Sequence, residues 1–458
     1  MWSGVLSSKE DTEIAIIGAG IAGLGAADKL INKYGFKSEH VKIYEALDRI
    51  GGRIHPIPFE NGYLQLGAEF IHNKRANPLY PIAKRLGIVA KDVVDEEKYA
   101  FACGTTAEYL SSEQFLENFE AEIEESLEKE SEFDGSGKNA TETRLLNALF
   151  DLHRREVEGS DGCEDWKKMS LRQWTLFGDW DDDGDAILKS PGYKAILDWF
   201  LKRIPNHVIH LNSHVTEIGW SGHGATLTVN GEKKVTVNHV IVTSSLGYLK
   251  DNYQTLFQPP LPSLKTRVIE SMGFGALQKV FIEFPSDPKM LDKNHFHLLL
   301  VPNPSCQTKR NEIEAMFWAF AGQADFPNVL LGWIVGKDSA KLASFSDQSI
   351  KQALTRLFKE YFPNSPAPSR IIRTTWPQEP MFLGSYSYYS EAAEFSRRPQ
   401  KVLAQPLPSE NQPVVLFAGE ATHEDTWQTT HGALQTGWRE AKRIQKFYAQ
   451  TDLWRKVT

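Results

Sequence analysis

Three features of this 458-residue chain predict an α/β fold: a doubly wound parallel sheet joined to a second, α+β domain. Residues 13–53 run as a buried strand, a glycine-rich turn, a helix, a second strand closed by a carboxylate, and a further glycine pair. The far C-terminus offers a second apolar strand, a loop and an amphipathic helix in VVLFAGEATHEDTWQTTHGALQTGWREAKRIQKFYAQ. Between them, from about residue 207, short runs of alternating apolar residues mark antiparallel strands.

The first unit carries the chemistry. A strand from Ile14 to Ile17 runs into Gly18, Gly20 and Gly23. Gly18 suits the tight turn, Gly20 lets backbone approach a pyrophosphate, and Gly23 lets helix and strand pack closely. The unsatisfied amides and positive dipole end of a helix beginning near Ile21 would receive the pyrophosphate. Glu45, at the end of VKIYEA, is placed to accept from ribose hydroxyls and would repel a 2'-phosphate, so NADP is disfavoured. Gly51 and Gly52, followed by Arg53, bring the chain back to the dinucleotide with a cation beside its phosphates. The expected cofactor is FAD, held in a Rossmann-type domain.

Two polar helical patterns follow, at residues 111–130 and 140–159, and neither can continue the sheet. The strands HVIHL, HVTEIGW, GATLTVN and KVTVNHVIVT then read as a meander that returns to the buried sheet, with Pro259, Pro260 and Pro262 marking a boundary. A second strand-rich region holds QKVFIEF, FHLLLV, EAMFWAF and VLLGWIV, then a helix SDQSIKQALTRLFKEYF and a strand RIIRTTW. The last strand should end at Gly419 and the last helix begin near Gly432. The nucleotide domain is thus expected to be assembled from separated segments: residues 1–75, 190–258 and 396–458, with 76–189 and 259–395 forming the substrate-binding domain.

Bulk composition narrows the function. Hydrophobic residues make up 41% and charged residues 24%, as in a soluble globular enzyme, and no apolar run approaches a bilayer span. The N-terminus lacks a secretory pattern and the C-terminus WRKVT matches no SKL signal, so a cytoplasmic location is expected, with peroxisomal import left to another route. Cys103, Cys163 and Cys306 are too far apart for a disulfide framework or a zinc site. A net charge of -8, with acidic runs at residues 117–134 and 179–185, argues against nucleic acid. Such runs are solvated faces or a means of steering a polycation.

GAGIAGLGAA, the GGR triplet, LGAEFIH, QKVFIEF, GSYSY, LAQPLP, LFAGEATH and TTHGALQTGWREA occur in one order along nearly the whole chain. In these the chain resembles the flavin-containing amine oxidases, and among them the animal polyamine oxidases. The resemblance implies non-covalent FAD, because Ser385 stands where monoamine oxidases carry their flavin-linked cysteine. It implies that Glu420 is a second FAD-binding carboxylate, that Val215 meets the adenine through its backbone, and that Gly52 and Arg53 touch pyrophosphate or flavin. Lys279 would hold a water beside the flavin N5. His72 would contact a substrate nitrogen, with Glu69 a weaker carboxylate contributor, and Asn73 stands where glycine is common.

Tyr386 and Trp427 would flank the open face of the flavin, Trp427 replacing the usual tyrosine, with Trp376 as a nearby wall. Thr430 and His431 would present the helix N-terminus to the pyrimidine end. The implied reaction is oxidation of spermine, spermidine or their N1-acetyl forms, with oxygen as acceptor. Oxidation of another amine, or a catalytically silent polyamine-binding flavoprotein, remain the alternatives. Oligomeric state is not legible.

Overall fold

The computed structural model describes residues 14–90, 96–101, 140–177, 184–288, 296–301, 310–409 and 412–450. The helix expected at 111–130, the acidic run at 117–134, Cys103 and Cys306 lie outside these residues. The chain forms two compact units, one of Met1–Ala90, Lys167–Gly275 and Trp376–Thr458, the other of Lys91–Trp166 and Ala276–Thr375.

The first unit is built on a six-stranded sheet in the order Leu407–Ser409, Gln412–Phe417, His239–Val242, Ile14–Ile17, Val41–Tyr44, Ile209–His210. All neighbours run parallel except the first pair. Strand alternation divides its side chains between two cores. Ile14, Ile16, Ile43, Ile241 and Leu416 point to one, Ala15, Ile17, Tyr44, Val240, Val242 and Phe417 to the other. The first core is covered by the helices Ile21–Asp28 and Thr430–Ala449, which approach so closely that a Cβ on Gly437 would lie 2.0 Å from the Ala22 carbonyl oxygen. The second is covered by the meander Val215–Gly219, Ala225–Val229, Lys233–Val237, joined by Phe257–Gln258.

The C-terminal helix starts at Thr430 rather than near Gly432, because the Thr429 hydroxyl accepts from the Gly432 amide and caps it. After the three prolines the chain stays in the first unit through Gly275. There the helix Ser263–Ser271 places Lys265 to donate to the carbonyls of Val402, Leu403 and Gln405.

The second unit has its own six-stranded sheet, ordered Arg370–Arg373, Gln278–Glu283, Phe326–Ile334, Ala319–Gln323, Phe296–Val301, Glu96–Phe101. It is antiparallel apart from the last pair. The helix Asp347–Tyr361 buries Ile350, Leu354, Leu357 and Phe358 against Val280, Ile282 and Phe320. EAMFWAF is not one strand. Asn311 and Glu314 form a capping box that turns Glu312–Met316 into a helix, and the strand begins at Ala319.

Candidate active site

The glycine turn has the shape that its spacing predicts. Gly18 has φ +102, and a Cβ there would lie 2.5 Å from Thr243 Oγ1. A Cβ on Gly23 would lie 2.0 Å from the Gly18 carbonyl oxygen, so helix and strand meet backbone to backbone. Gly20 is different: its nearest such neighbour is the Gly51 carbonyl oxygen at 4.0 Å, which leaves the helix N-terminus approachable. The second glycine pair lies beside the first, with Gly51 N–H donating to the Ala19 carbonyl at 2.9 Å and Gly20 bridging Gly51. Gly52, at φ +61, would place a Cβ 3.4 Å from Gly20 Cα. Two turns free of side chains at one helix N-terminus fit a pyrophosphate.

Glu45 is buried at the end of its strand, accepting from Ala19 N–H at 2.6 Å and Leu47 N–H at 2.9 Å. Burial raises its pKa, while those amides and Arg49 act in the opposite direction. With the Ala46 amide as a third backbone partner, the carboxylate keeps about one of its four lone-pair sites for a ribose hydroxyl. Val215 is 2% exposed and belongs to the core, so only its backbone can serve a ligand.

Arg53 and Glu420, 367 residues apart, form an ion pair at 2.9 Å. The Arg53 guanidinium also donates to the Ser385 carbonyl at 2.7 Å, and Glu420 Oε2 accepts from Ser387 Oγ at 2.7 Å and Gln428 N–H at 3.0 Å. Arg53 and Glu420 line a hollow shared with Val242, Ser244 and Gly419. Tyr386 is half-buried on the strand Tyr386–Tyr388. Trp427 is wholly buried, with the ring of Phe177 edge-to-face at 4.8 Å, a neighbour that the sequence did not reveal. Trp376 is buried against Phe382 and His55, whose pKa burial pushes down to about 4.

A second cluster forms around the C-terminal helix. His72 Nδ1 donates to Asp185 at 2.5 Å. Asn77 donates to the His72 carbonyl at 2.8 Å and to His431 Nδ1 at 3.1 Å. Burial and the nearby His72 push the His431 pKa down to about 4, so that ring is neutral at working pH. Thr430, the first helical residue, bonds through its hydroxyl to the Tyr193 hydroxyl at 2.8 Å, and Tyr193 donates to the Phe70 carbonyl. Asn73 holds φ +51, the left-handed conformation that suits the glycine common at this position and that asparagine tolerates. Glu69 is half-buried just before the strand Phe70–Ile71. Asp185, Asn77 and Tyr193 were not expected from the sequence; Asp185 sat within what read as a solvated acidic run.

Lys279 belongs to the second unit. It lies on an interior strand, paired on both sides, and is 6% exposed. Its N–H donates to Thr374 Oγ1 at 2.8 Å and its carbonyl accepts from Thr374 N–H at 3.0 Å. A solvated edge-strand lysine is therefore not what the fold provides.

Residues 21–445 match the family described as flavin containing amine oxidoreductase. The chain is 28% identical to the bovine peroxisomal N(1)-acetyl-spermine/spermidine oxidase, over 96% of each chain. It is 29% identical to a probable polyamine oxidase 5 of Arabidopsis thaliana, over 95% of this chain and 98% of that one. Among solved structures, cyclohexylamine oxidase from Brevibacterium oxydans IH-35A superimposes with a TM-score of 0.71 at 20% identity, covering 96% of this chain and 100% of the other.

Proposed function

The chain belongs to the flavin containing amine oxidoreductase family and is an FAD-dependent amine oxidase, and from that premise we propose that its substrate is a polyamine, spermine or spermidine or an N1-acetyl derivative. The observation that carries this reading is the His72–Asp185 pair. A carboxylate that accepts a hydrogen bond from Nδ1–H keeps the proton on that nitrogen and leaves Nε2 as an acceptor, the form that can hold a protonated secondary amine and take its proton. Asp185, itself half-exposed, adds negative charge where a polycation needs it. Similarity to polyamine oxidases along nearly their whole lengths supports the same substrate class.

Bound FAD would supply the hydride acceptor for the carbon next to the amine nitrogen and a two-electron route to oxygen that yields hydrogen peroxide. The protein's part is to hold and orient. Gly18, Gly20, Gly23, Gly52 and Arg53 would take the pyrophosphate, Glu45 and Glu420 the hydroxyls, the Val215 backbone the adenine, and Trp376 one wall. The N-terminus of the helix beginning at Thr430 would face the pyrimidine end, where its dipole favours negative charge. Tyr386 and Trp427 would flank the amine, His72 would receive its proton, and Lys279 would hold a water. The resulting imine adds water and splits into a shorter amine and 3-aminopropanal, or 3-acetamidopropanal from an acetylated substrate. In this reading residues 1–75, 190–258 and 396–458 carry the cofactor, and 76–189 and 259–395 complete the substrate site.

Anaerobic mixing of the yellow enzyme with spermine, N1-acetylspermine, benzylamine and an amino acid tests the proposal by the loss of flavin absorbance. Bleaching by the polyamines alone is expected. Faster bleaching by benzylamine or the amino acid would replace the substrate class, and bleaching by none would leave a silent flavoprotein.

A further inference from the structure

Glu420 does more in this fold than one cofactor contact requires. It is 4% exposed, and both of its oxygens are already engaged by the protein. Oε1 takes the Arg53 guanidinium, while Oε2 accepts from Ser387 Oγ and from Gln428 N–H. Ser387 directly follows Tyr386, and Gln428 directly follows Trp427. One carboxylate oxygen is therefore shared by the main-chain neighbours of both candidate wall rings. The other flank of Tyr386 is tied in as well, since Arg53 donates to the Ser385 carbonyl.

The local backbone shows why that oxygen matters. Gln428 holds φ +68, a left-handed conformation that a side chain disfavours, and its N–H is aimed at a carboxylate. A charge-assisted bond of this kind is stronger than a neutral one and offsets the strain. Relaxation of that peptide into the ordinary region would swing Trp427, one residue before it. Ser387 is 0% exposed, so no solvent stands ready to replace its hydroxyl.

We propose that Glu420 and Ser387 are positioning residues that set the separation between Tyr386 and Trp427, and with it the width of the slot an amine must enter. The inference rests on the reading of those two rings as substrate walls. It deepens that reading by making substrate fit depend on two residues that need not touch the amine.

The test uses FAD-loaded enzyme with N1-acetylspermine. Ser387→Ala should raise KM about tenfold, with kcat changed by less than about twofold and FAD content unchanged; Ser387→Thr, which keeps the hydroxyl, should restore most of the loss. A second measurement needs no activity. In thermal unfolding of the apoprotein, Glu420→Gln should lower Tm, and by less than half as much in a Gln428→Gly background, where glycine takes the left-handed conformation without help. The proposal is overturned if Ser387→Ala leaves KM unchanged while Tyr386→Ala and Trp427→Ala raise it, or if the two Tm losses are equal. If Tyr386→Ala and Trp427→Ala also leave KM unchanged, the reading of the rings as walls fails, and the inference falls with it.

Discussion

His72 and Asp185, separated by 113 residues in the chain, share a 2.5 Å hydrogen bond. The carboxylate fixes which ring nitrogen carries the proton, so removing it should disturb substrate binding more than chemistry. Asp185→Ala is expected to raise KM for spermine about tenfold, with kcat falling less, while Asp185→Asn, which keeps an acceptor, should stay within about threefold. Oxygen-electrode kinetics with flavin-normalised enzyme measure both. Equal effects of the two variants would assign the role to charge rather than to orientation.

Two glycines three residues apart should fail in opposite ways. Gly20→Ala meets only one atom, at 4.0 Å, and Gly20 has an ordinary φ of -70, so the apoprotein should fold with little change in Tm. The added methyl would nonetheless stand where the pyrophosphate approaches, and FAD content after purification should fall by about tenfold or more. Gly23→Ala drives a methyl to 2.0 Å from a backbone oxygen that cannot yield, and should not give folded protein. Thermal scans and the 450 nm absorbance distinguish the outcomes.

Lys279→Met replaces a 6% exposed lysine with an apolar chain of similar length. Folding should be maintained, because methionine keeps the unbranched apolar stem of the side chain at nearly the same length. FAD content should be unchanged while oxidase turnover falls by about tenfold or more. Unchanged turnover would remove Lys279 from the proposed site.

His239 makes part of the acid sensitivity of the fold. It is fully buried, donates from Nδ1 to the Pro413 carbonyl at 2.7 Å, and burial pushes its pKa down to about 4 from 6.5. Between those values the unfolded chain binds the extra proton, so this histidine's contribution is intact above pH 6.5 and is lost as pH falls toward 4. The loss amounts to about 2 kcal/mol at pH 5. Urea unfolding at pH 7 and pH 5 should show His239→Gln losing less stability on acidification than the wild type by about that amount.

The legible part of the site is the part whose geometry is local. Gly18, Gly20, Gly23 and Glu45 fall within one strand-turn-helix-strand unit, where spacing alone dictates which atoms meet. Arg53 and Glu420 were each expected as FAD contacts, but their pairing with one another was not legible, since nothing in 367 intervening residues records it. Asp185 was hidden because a carboxylate in an acidic run looks like any solvated acid until the fold places His72 beside it. The helix at Glu312–Met316 was missed for a different reason: apolar residues around Phe317 suggested a strand, and the capping signal Asn311 to Glu314 was present but not used.

The order of strands in the nucleotide sheet also sets a timetable for synthesis. Ile14–Ile17 leaves the ribosome first, yet one of its partners, His239–Val242, follows more than two hundred residues later, and Gln412–Phe417 comes later still. At about 5–20 residues per second, the first strand waits roughly ten to fifty seconds for its second neighbour. Through that interval a run of bare isoleucine is offered to chaperones, and the nucleotide has no finished bed to enter until Gln412–Phe417 has been made.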